Sequence, residues 1–431
     1  MTLKVALLGA GTVGVEVARR ILERPNELRD RIGDDLELTG VVVRDTSKER
    51  PGIPADLITT NANDAIQGAD IVVELMGGID PAHELILSAL NSGASVVTAN
   101  KALLAKHFAE LFEAADRAQV RLEHEAAVAG AIPIIRPVGD SLAGDRITRV
   151  MGIMNGTTNY ILDKMETEGW SFDEALKTAQ ELGYAEADPT ADVEGLDAAA
   201  KVAILASLAF HTPVTIDDVY VEGITSVTAE MVETARSQGF TIKLLGICEK
   251  LDDVGKVSAR VYPALLPNSH PLASVGGAFN AVFVEAEAAG ELMFYGQGAG
   301  GAPTASAVLG DIVSVARRKV LGGRGQYERR TRTTLPVASL GEITTRYQIT
   351  LDVIDRSGVL QAVTEVFANQ DVSIELVQQT QYDDQGDGDS RAKLVIATHS
   401  ATDSALAQTV KHLNELDVVR EIQSVLRIEG Q

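Results

Sequence analysis

The chain contains one cysteine, Cys248, in 431 residues. A single thiol excludes an intrachain disulfide and a cysteine metal cluster. Cys248 lies in the apolar run 244–248 and reads as a core residue. No apolar run reaches about 18 residues, so no membrane span is expected. Positive charge is scarce: 38 Lys and Arg stand against 61 Asp and Glu, a net charge of −23. Nucleic acid and anionic membranes attract basic surfaces, so neither is expected as a partner. The seven histidines are scattered, and no pair of them suggests a zinc alcohol dehydrogenase. The start, Met1-Thr2-Leu3-Lys4-Val5, enters a strand pattern at once. That leaves no room for a secretory signal and makes the cytoplasm the expected location.

What is present is enough apolar material, 45% of residues, for two or three domains of a soluble enzyme. Residues 1–135 alternate strand and helix. Strands are expected at 5–8, 38–43, 71–75, 96–98 and 121–124, and helices at 13–22, 81–92 and 103–119. That order predicts a parallel sheet with right-handed crossovers. Residues 25–35 read as an inserted turn. From 136 to 321 the pattern becomes α+β. Strands fit 149–154, 243–250, 257–264 and 281–286. Helices fit 172–182, 195–210 and 302–320, and a polar loop at 155–159 opens a further helix. Whether helix 302–320 returns to the first domain is open at this stage. Residues 322–345 read as a linker with a basic, solvated cluster at 329–334. Residues 346–431 carry a compact βαββαβ pattern and read as a separable module. Its acidic tract at 383–390 lacks the distal glutamate of a calcium loop.

Gly9-Ala10-Gly11-Thr12-Val13-Gly14 follows the first strand and opens the first helix. In that context the glycines let backbone amides approach a pyrophosphate at the helix N-terminus. The second strand ends in Arg44-Asp45. An arginine there pairs with a 2′-phosphate, which favours NADP(H), while Asp45 keeps NAD(H) open. Val97-Thr98-Ala99-Asn100-Lys101 ends the fourth strand, where ligands of such sheets collect. Lys101 is either a site residue or a surface lysine starting a helix.

The densest signal is the acidic stretch 183–201, with Glu186, Asp188, Asp192, Glu194, Asp197 and finally Lys201. Asp197 and Lys201 are four apart on an expected helix and share a face. Taken alone they make an ordinary exposed ion pair. Next to a nucleotide signature they make a carboxylate–ammonium pair able to hold and protonate a small polar substrate. Aldehyde reduction places negative charge on oxygen, which a protonated lysine stabilises and neutralises. No protein nucleophile is needed when a cofactor carries the hydride, so the poor placement of Cys248 is no obstacle. A phosphorylating semialdehyde dehydrogenase, by contrast, needs a reactive thiolate.

Together these segments resemble homoserine dehydrogenase over essentially the whole chain. The resemblance rests on residues 9–14, 98–101, 125–133, 155–159, 183–201 and 296–308. Residues 346–431, with Leu351-Asp352-Val353-Ile354-Asp355-Arg356-Ser357-Gly358, resemble an ACT domain. The implied fold is α/β: a Rossmann-type dinucleotide-binding domain, an α+β catalytic and dimerisation domain, and a C-terminal βαββαβ ACT domain. The implied reaction is reduction of L-aspartate 4-semialdehyde to L-homoserine with NAD(P)H, on the route to threonine, methionine and isoleucine. By resemblance Lys201 is the proton donor and Lys101 the second lysine of the site. Glu186, Asp192 and Asp197 face the substrate, and Gly156 and Thr157 line the bound ligands. Thr12, Val13, Thr98 and Lys101 contact the cofactor, and Gly298 closes on it. Glu125 with the carbonyls of Val128, Gly130 and Ile132 matches a structural sodium site. Threonine is the implied inhibitor, held near Gly358, and a homodimer or homotetramer is implied. A non-catalytic nucleotide and amino-acid sensor is the alternative from another class.

Overall fold

The structure is a computed structural model that describes residues 2–325, 333–382 and 390–430. Most of the basic cluster and of the acidic tract noted above, residues 329–332 and 383–389, therefore lie outside the described residues.

The N-terminal elements are β1 (Leu3–Leu8), α1 (Thr12–Glu23), α2 (Pro25–Ile32), β2 (Leu36–Val42), β3 (Ile58–Thr59), α3 (Ala62–Ile66), β4 (Ile71–Glu74), α4 (Ala82–Asn91), β5 (Ser95–Thr98), α5 (Lys101–Ala118) and β6 (Leu122–Glu123). The six strands form one parallel sheet in the order β3-β2-β1-β4-β5-β6. This is the doubly wound arrangement, with its crevice where the order reverses between β1 and β4. The strands are near-continuous apolar runs because both faces are covered. The turn expected at 25–35 is instead mostly helix. Pro25 sits in the first turn and Gly33, at φ 90°, ends α2, positions that suit each residue. Only Leu28 and Ile32 of α2 are buried, which is why its apolar signal is faint. The short β3 and α3 also escaped the sequence pattern.

The next elements are β7 (Ile147–Ile153), α6 (Gly156–Glu168), α7 (Phe172–Glu181), α8 (Thr190–Val193), α9 (Leu196–Ala209), β8 (Tyr220–Val221), α10 (Ala229–Ser237), β9 (Phe240–Leu251), β10 (Lys256–Pro267), β11 (Phe279–Ala286), β12 (Gly290–Gln297) and α11 (Gly301–Val320). Helix α11 does return to the first sheet. Its Ala305, Val308, Ile312, Val315 and Ala316 share a core with Val5, Leu7, Val17, Ile21 and Val73. Helix α9 is buried almost all round, against β9 and β10 on one side and α5 on another.

The last elements are β13 (Thr344–Ile354), α12 (Val359–Asn369), β14 (Ile374–Gln381), β15 (Arg391–Thr398), β16 (Ala401–Thr402), α13 (Asp403–Leu413) and β17 (Val419–Ile428). They have their own core around Ile349, Leu351, Val363, Phe367, Ile396 and Leu406. Their sheet is nevertheless continuous with the middle one, in the order β12-β11-β7-β9-β10-β17-β13-β15-β14. The join is a short parallel pairing, Ala264 with Arg427 and Leu265 with Ile428.

That join corrects the reading of residues 346–431 as separable. Past β17, Glu429 is buried. It accepts from the Tyr262 hydroxyl at 2.5 Å and from the Arg149 guanidinium, and Arg260 lies 3.7 Å away. Removing the module strips the shared carboxylate from two largely buried guanidiniums. Both keep Glu249, 3.6 Å from Arg149 and 2.8 Å from Arg260, so the loss falls below the about 3–5 kcal/mol of a fully broken buried pair.

Candidate active site

The glycine turn is built as its sequence requires. Gly9 has φ 101°, and a side chain there would strike the backbone of Leu75 and Met76 at 2.8–2.9 Å. One on Gly14 would meet the Gly9 carbonyl at 2.1 Å, whereas the space over Gly11 is open. Gly11 is the N-cap of α1 and its side of the helix end is free of any capping side chain. Thr12 and Val13 form the first turn. Gly301, at the start of α11, lies against Thr12, so the 296–303 loop abuts this helix end.

Two basic groups stand near the end of β2. Arg44 is exposed. Arg50, which sequence reasoning passed over, lies closer to the turn. Its Nε donates to the Ala10 carbonyl at 3.4 Å, and its Nη1 to the carbonyls of Asp45 and Lys48. The Asp45 carboxylate accepts from the amide and hydroxyl of Ser47 at 2.9 and 2.6 Å. Asp45 is thus spent on its own turn.

At the end of β5, the Thr98 hydroxyl donates to buried Glu74 at 2.6 Å. Glu74 also accepts from the amides of Met76 and Gly77. Asn100 caps α5 by accepting from the Leu103 amide and ties the 76–78 loop by donating to the Gly78 carbonyl at 2.6 Å. Lys101 is the first residue of α5.

Around Asp197 the acidic stretch meets that lysine. Asp197 lies in the first turn of α9 and contacts Lys201 at 2.7 Å and Lys101 at 3.0 Å. Asn155, the N-cap of α6, donates to Asp197 at 2.9 Å and to Asp192 at 2.7 Å. Lys201 also donates to the Met154 carbonyl at 2.5 Å. The side chains of Lys201 and Asp197 are only 9% and 10% exposed, so the exposed-pair reading fails. Burial works against the Asp197 carboxylate. The two ammonium groups and the Asn155 amide outweigh it, and hold Asp197 well below the usual carboxylate range. Lys101 is raised, first by Asp197, with Asp192 and Glu186 adding to the field. Asp192 is pushed up, chiefly by burial. Glu186 is exposed at the rim. Thr157 donates to the Tyr184 carbonyl at 2.7 Å and so anchors the acidic loop to α6.

Gly156 and Gly298 frame a residue the sequence did not reveal. A side chain on Gly156 would strike the Ala278 carbonyl, and one on Gly298 would strike Asn280. Asn280 is 1% exposed, and neither of its amide atoms has a partner among the described residues. A buried amide left so is rare in a finished site. No sequence pattern marks it, because Asn280 sits inside an ordinary strand.

The Glu125 carboxylate accepts from the amides of Ile134, Ile135 and Arg136 at 2.6, 2.7 and 3.1 Å and pairs with the Arg136 guanidinium at 3.3 Å. It is therefore not free to serve as a metal ligand, which corrects one reading of the sodium set. The carbonyl oxygens of Glu125, Val128, Gly130 and Ile132 are another matter. Those of Val128, Gly130 and Ile132 take no backbone amide among the described turn and loop bonds, while that of Glu125 opens a short 3-10 turn. His124 packs edge-on against Phe108 and Phe112. Gly358, at φ 91°, is the N-cap of α12 with open space beside it.

Known proteins resemble this chain along its whole length. A family profile described as "Homoserine dehydrogenase, NAD binding domain" matches residues 9–125, and one described as "Homoserine dehydrogenase" matches residues 133–313. The chain is 57% identical to homoserine dehydrogenase of Mycobacterium leprae over 100% of this chain and 98% of that one. It is 56% identical to that of Corynebacterium glutamicum over 99% and 95%. The crystal structure of a homoserine dehydrogenase from Thiobacillus denitrificans superposes with a TM-score of 0.92 at 37% identity, covering 100% and 99%. The chain belongs to the homoserine dehydrogenase family, and it is an NAD(P)-dependent oxidoreductase with that activity.

Proposed function

We propose that Lys201 delivers the proton to the aldehyde oxygen of L-aspartate 4-semialdehyde, forming L-homoserine. The observation that carries this is Asp197, one buried carboxylate between two lysines that arrive from different domains. Asp197 holds Lys201 in place at 2.7 Å, so its ammonium can stabilise the developing oxyanion and then neutralise it. Lys101 is the second cation, reaching over from the nucleotide-binding sheet. Asp192 and the exposed Glu186 offer negative charge to the substrate's ammonium group. Gly156 and Thr157 line the place where substrate and cofactor meet.

The crevice above β1 and β4 is the place for the cofactor, which supplies the hydride when bound. Gly9, Gly11 and Gly14 allow close backbone approach, Thr12 and Val13 present the helix end, and Gly298 closes the opposite side. The Thr98 hydroxyl is committed to Glu74, so any contact there falls to its backbone. NADP(H) is the preferred cofactor in this reading, since Arg44 and Arg50 are cationic and Asp45 is tied to Ser47. NAD(H) remains usable. The four carbonyls of Glu125, Val128, Gly130 and Ile132 suit a structural Na⁺, a cation that takes oxygen donors; buried carbonyls ordinarily find partners.

The functional units are residues 1–135 with α11 added, 136–321, a linker at 322–345, and an ACT-type regulatory module at 346–431. Threonine binding near Gly358 fits a helix N-terminus that accepts a carboxylate. A homodimer or homotetramer in the cytoplasm completes the proposal. Exposed Phe279 and Tyr295 stack at the edge of the sheet, with exposed Met293 on the same strand, and give an oligomer apolar surface to bury.

The test follows reduced nicotinamide by absorbance with aspartate semialdehyde. Lys201→Met should lower kcat by roughly 10²–10⁴-fold with cofactor affinity retained. Near-normal turnover would remove Lys201 from the chemistry and promote Lys101. Turnover by the unmodified chain also disposes of the sensor alternative.

A further inference from the structure

The seven histidines are scattered along the chain, yet the fold brings two of them together with a glutamate. His83 lies at the start of α4, and His107 and Glu110 lie three apart on α5. His83 Nε2 and His107 Nδ1 both approach the same Glu110 oxygen, each at 3.0 Å. One ligand atom from each residue lies within 4.8 Å of the others. The two imidazoles are stacked, with centroids 4.3 Å apart.

A hydrogen-bond account leaves two features unexplained. One carboxylate oxygen takes both rings, and the rings stack face to face, an arrangement that repels if both are protonated. The backbone of α5 also departs from helical geometry at His107 itself, with φ −122° and ψ 22°. Such an interruption has a local cause, and here it falls on a residue of the cluster.

We propose that His83, His107 and Glu110 bind a divalent transition-metal ion of the zinc class. Two imidazole nitrogens and one carboxylate oxygen form a donor set that suits zinc rather than magnesium or calcium. In a tetrahedral site with bonds near 2.0 Å, ligand atoms lie roughly 3.3 Å apart. The two histidine–glutamate separations of 3.0 Å already lie close to that figure. A cleft of about 240 Å³ between α5 and residues 213–215 is lined by His107 and Glu110 and gives the ion a way in.

The ion clamps α4 to α5. Lys101 begins α5 six residues before His107, roughly 9 Å along the axis at 1.5 Å per residue. The site is thus a structural brace beside the catalytic helix and takes no part in the reaction.

The test uses the untagged full-length chain, freed of metal by chelation and titrated calorimetrically with ZnCl₂. One equivalent of zinc should bind, and Co²⁺ should give the visible absorption of a tetrahedral site. His83→Gln, His107→Gln and Glu110→Gln should each weaken zinc by about tenfold or more, since changing even outer-shell partners has that effect. His83→Gln leaves the α5 backbone untouched, so its result is free of any change at the kink. The proposal is overturned if the chain takes up no zinc saturably, or if His83→Gln and His107→Gln bind zinc as tightly as the unsubstituted chain does. The latter result would place the ion elsewhere.

Discussion

Replacing Asp197 by Asn keeps the shape of the side chain and removes one negative charge. In the native site that charge faces Lys201 at 2.7 Å and Lys101 at 3.0 Å, with Asn155 at 2.9 Å. The Lys101 side chain is 45% exposed and solvent screens it, so most of the loss falls on buried Lys201. Removing one partner of a buried pair costs about 3–5 kcal/mol. That interaction holds the Lys201 ammonium beside the reacting oxygen in the proposed mechanism. Near neutral pH, kcat should fall by about 10²-fold or more. The assay is kcat in the direction of semialdehyde reduction, with NADPH binding followed separately. Stability provides a second reading. The native Asp197 pKa is depressed, so its contribution is present above the unfolded value of about 3.9 and is lost as pH falls through the folded value. The variant should lack that dependence. A kcat within about twofold of native would refute the reasoning and make Asp197 a bystander.

Arg44→Ala and Arg50→Ala should each raise KM for NADPH by roughly tenfold to a hundredfold, with little change for NADH, if they read the 2′-phosphate as charge-assisted contacts; equal effects on both cofactors would place that reading elsewhere. Cys248 is fully buried and its thiol is pushed up to about 12, chiefly by burial. Thiol reagents should therefore leave the native enzyme active and label it only on unfolding; rapid inactivation would contradict this. Glu429→Gln should destabilise the chain by less than the about 3–5 kcal/mol of a fully broken buried pair, measured by urea denaturation. A chain ending near Thr344 should lose more, so threonine sensitivity is better probed in the intact chain by Gly358→Asp. Loss of inhibition there with unchanged catalysis supports an effector site at α12, and retained inhibition moves that site into the catalytic part.

Where local periodicity decides an element, the sequence is a good guide. The six main elements of 346–431 follow alternating and helical patterns closely enough to be read in order. Elements set by tertiary packing were harder. Helix α2 buries two residues of eight, and α10 buries three of nine. The edge strand β12 half-buries Leu292 and Phe294 but carries apolar Met293 and Tyr295 on its exposed face, so it shows no apolar alternation. The join between β10 and β17 was also invisible. It depends on two residue pairs and on Glu429 meeting Arg149 and Tyr262, which are 280 and 167 positions away.

The site divides along the same line. Asp197 and Lys201 share a helical face at four-residue spacing, so their contact is written locally. Their burial is not, because it follows from α9 being enclosed by β9, β10 and α5. Lys101 comes from the other domain. Its meeting with Asp197 requires the doubly wound sheet to carry the end of β5 to the crevice and α5 to pack along α9. Asn155 is written locally as the cap of α6. Its second task, holding Asp192 and Asp197 with one amide nitrogen, arises only when α6 and α9 converge at their N-termini. Both carboxylates then sit at helix ends that favour negative charge. That placement offsets part of the repulsion between Asp192 and Asp197, which still helps to raise Asp192. Two helix termini, one amide and two lysines divide the charge among them, and of the two lysines it is the buried one that the proposal makes the proton donor.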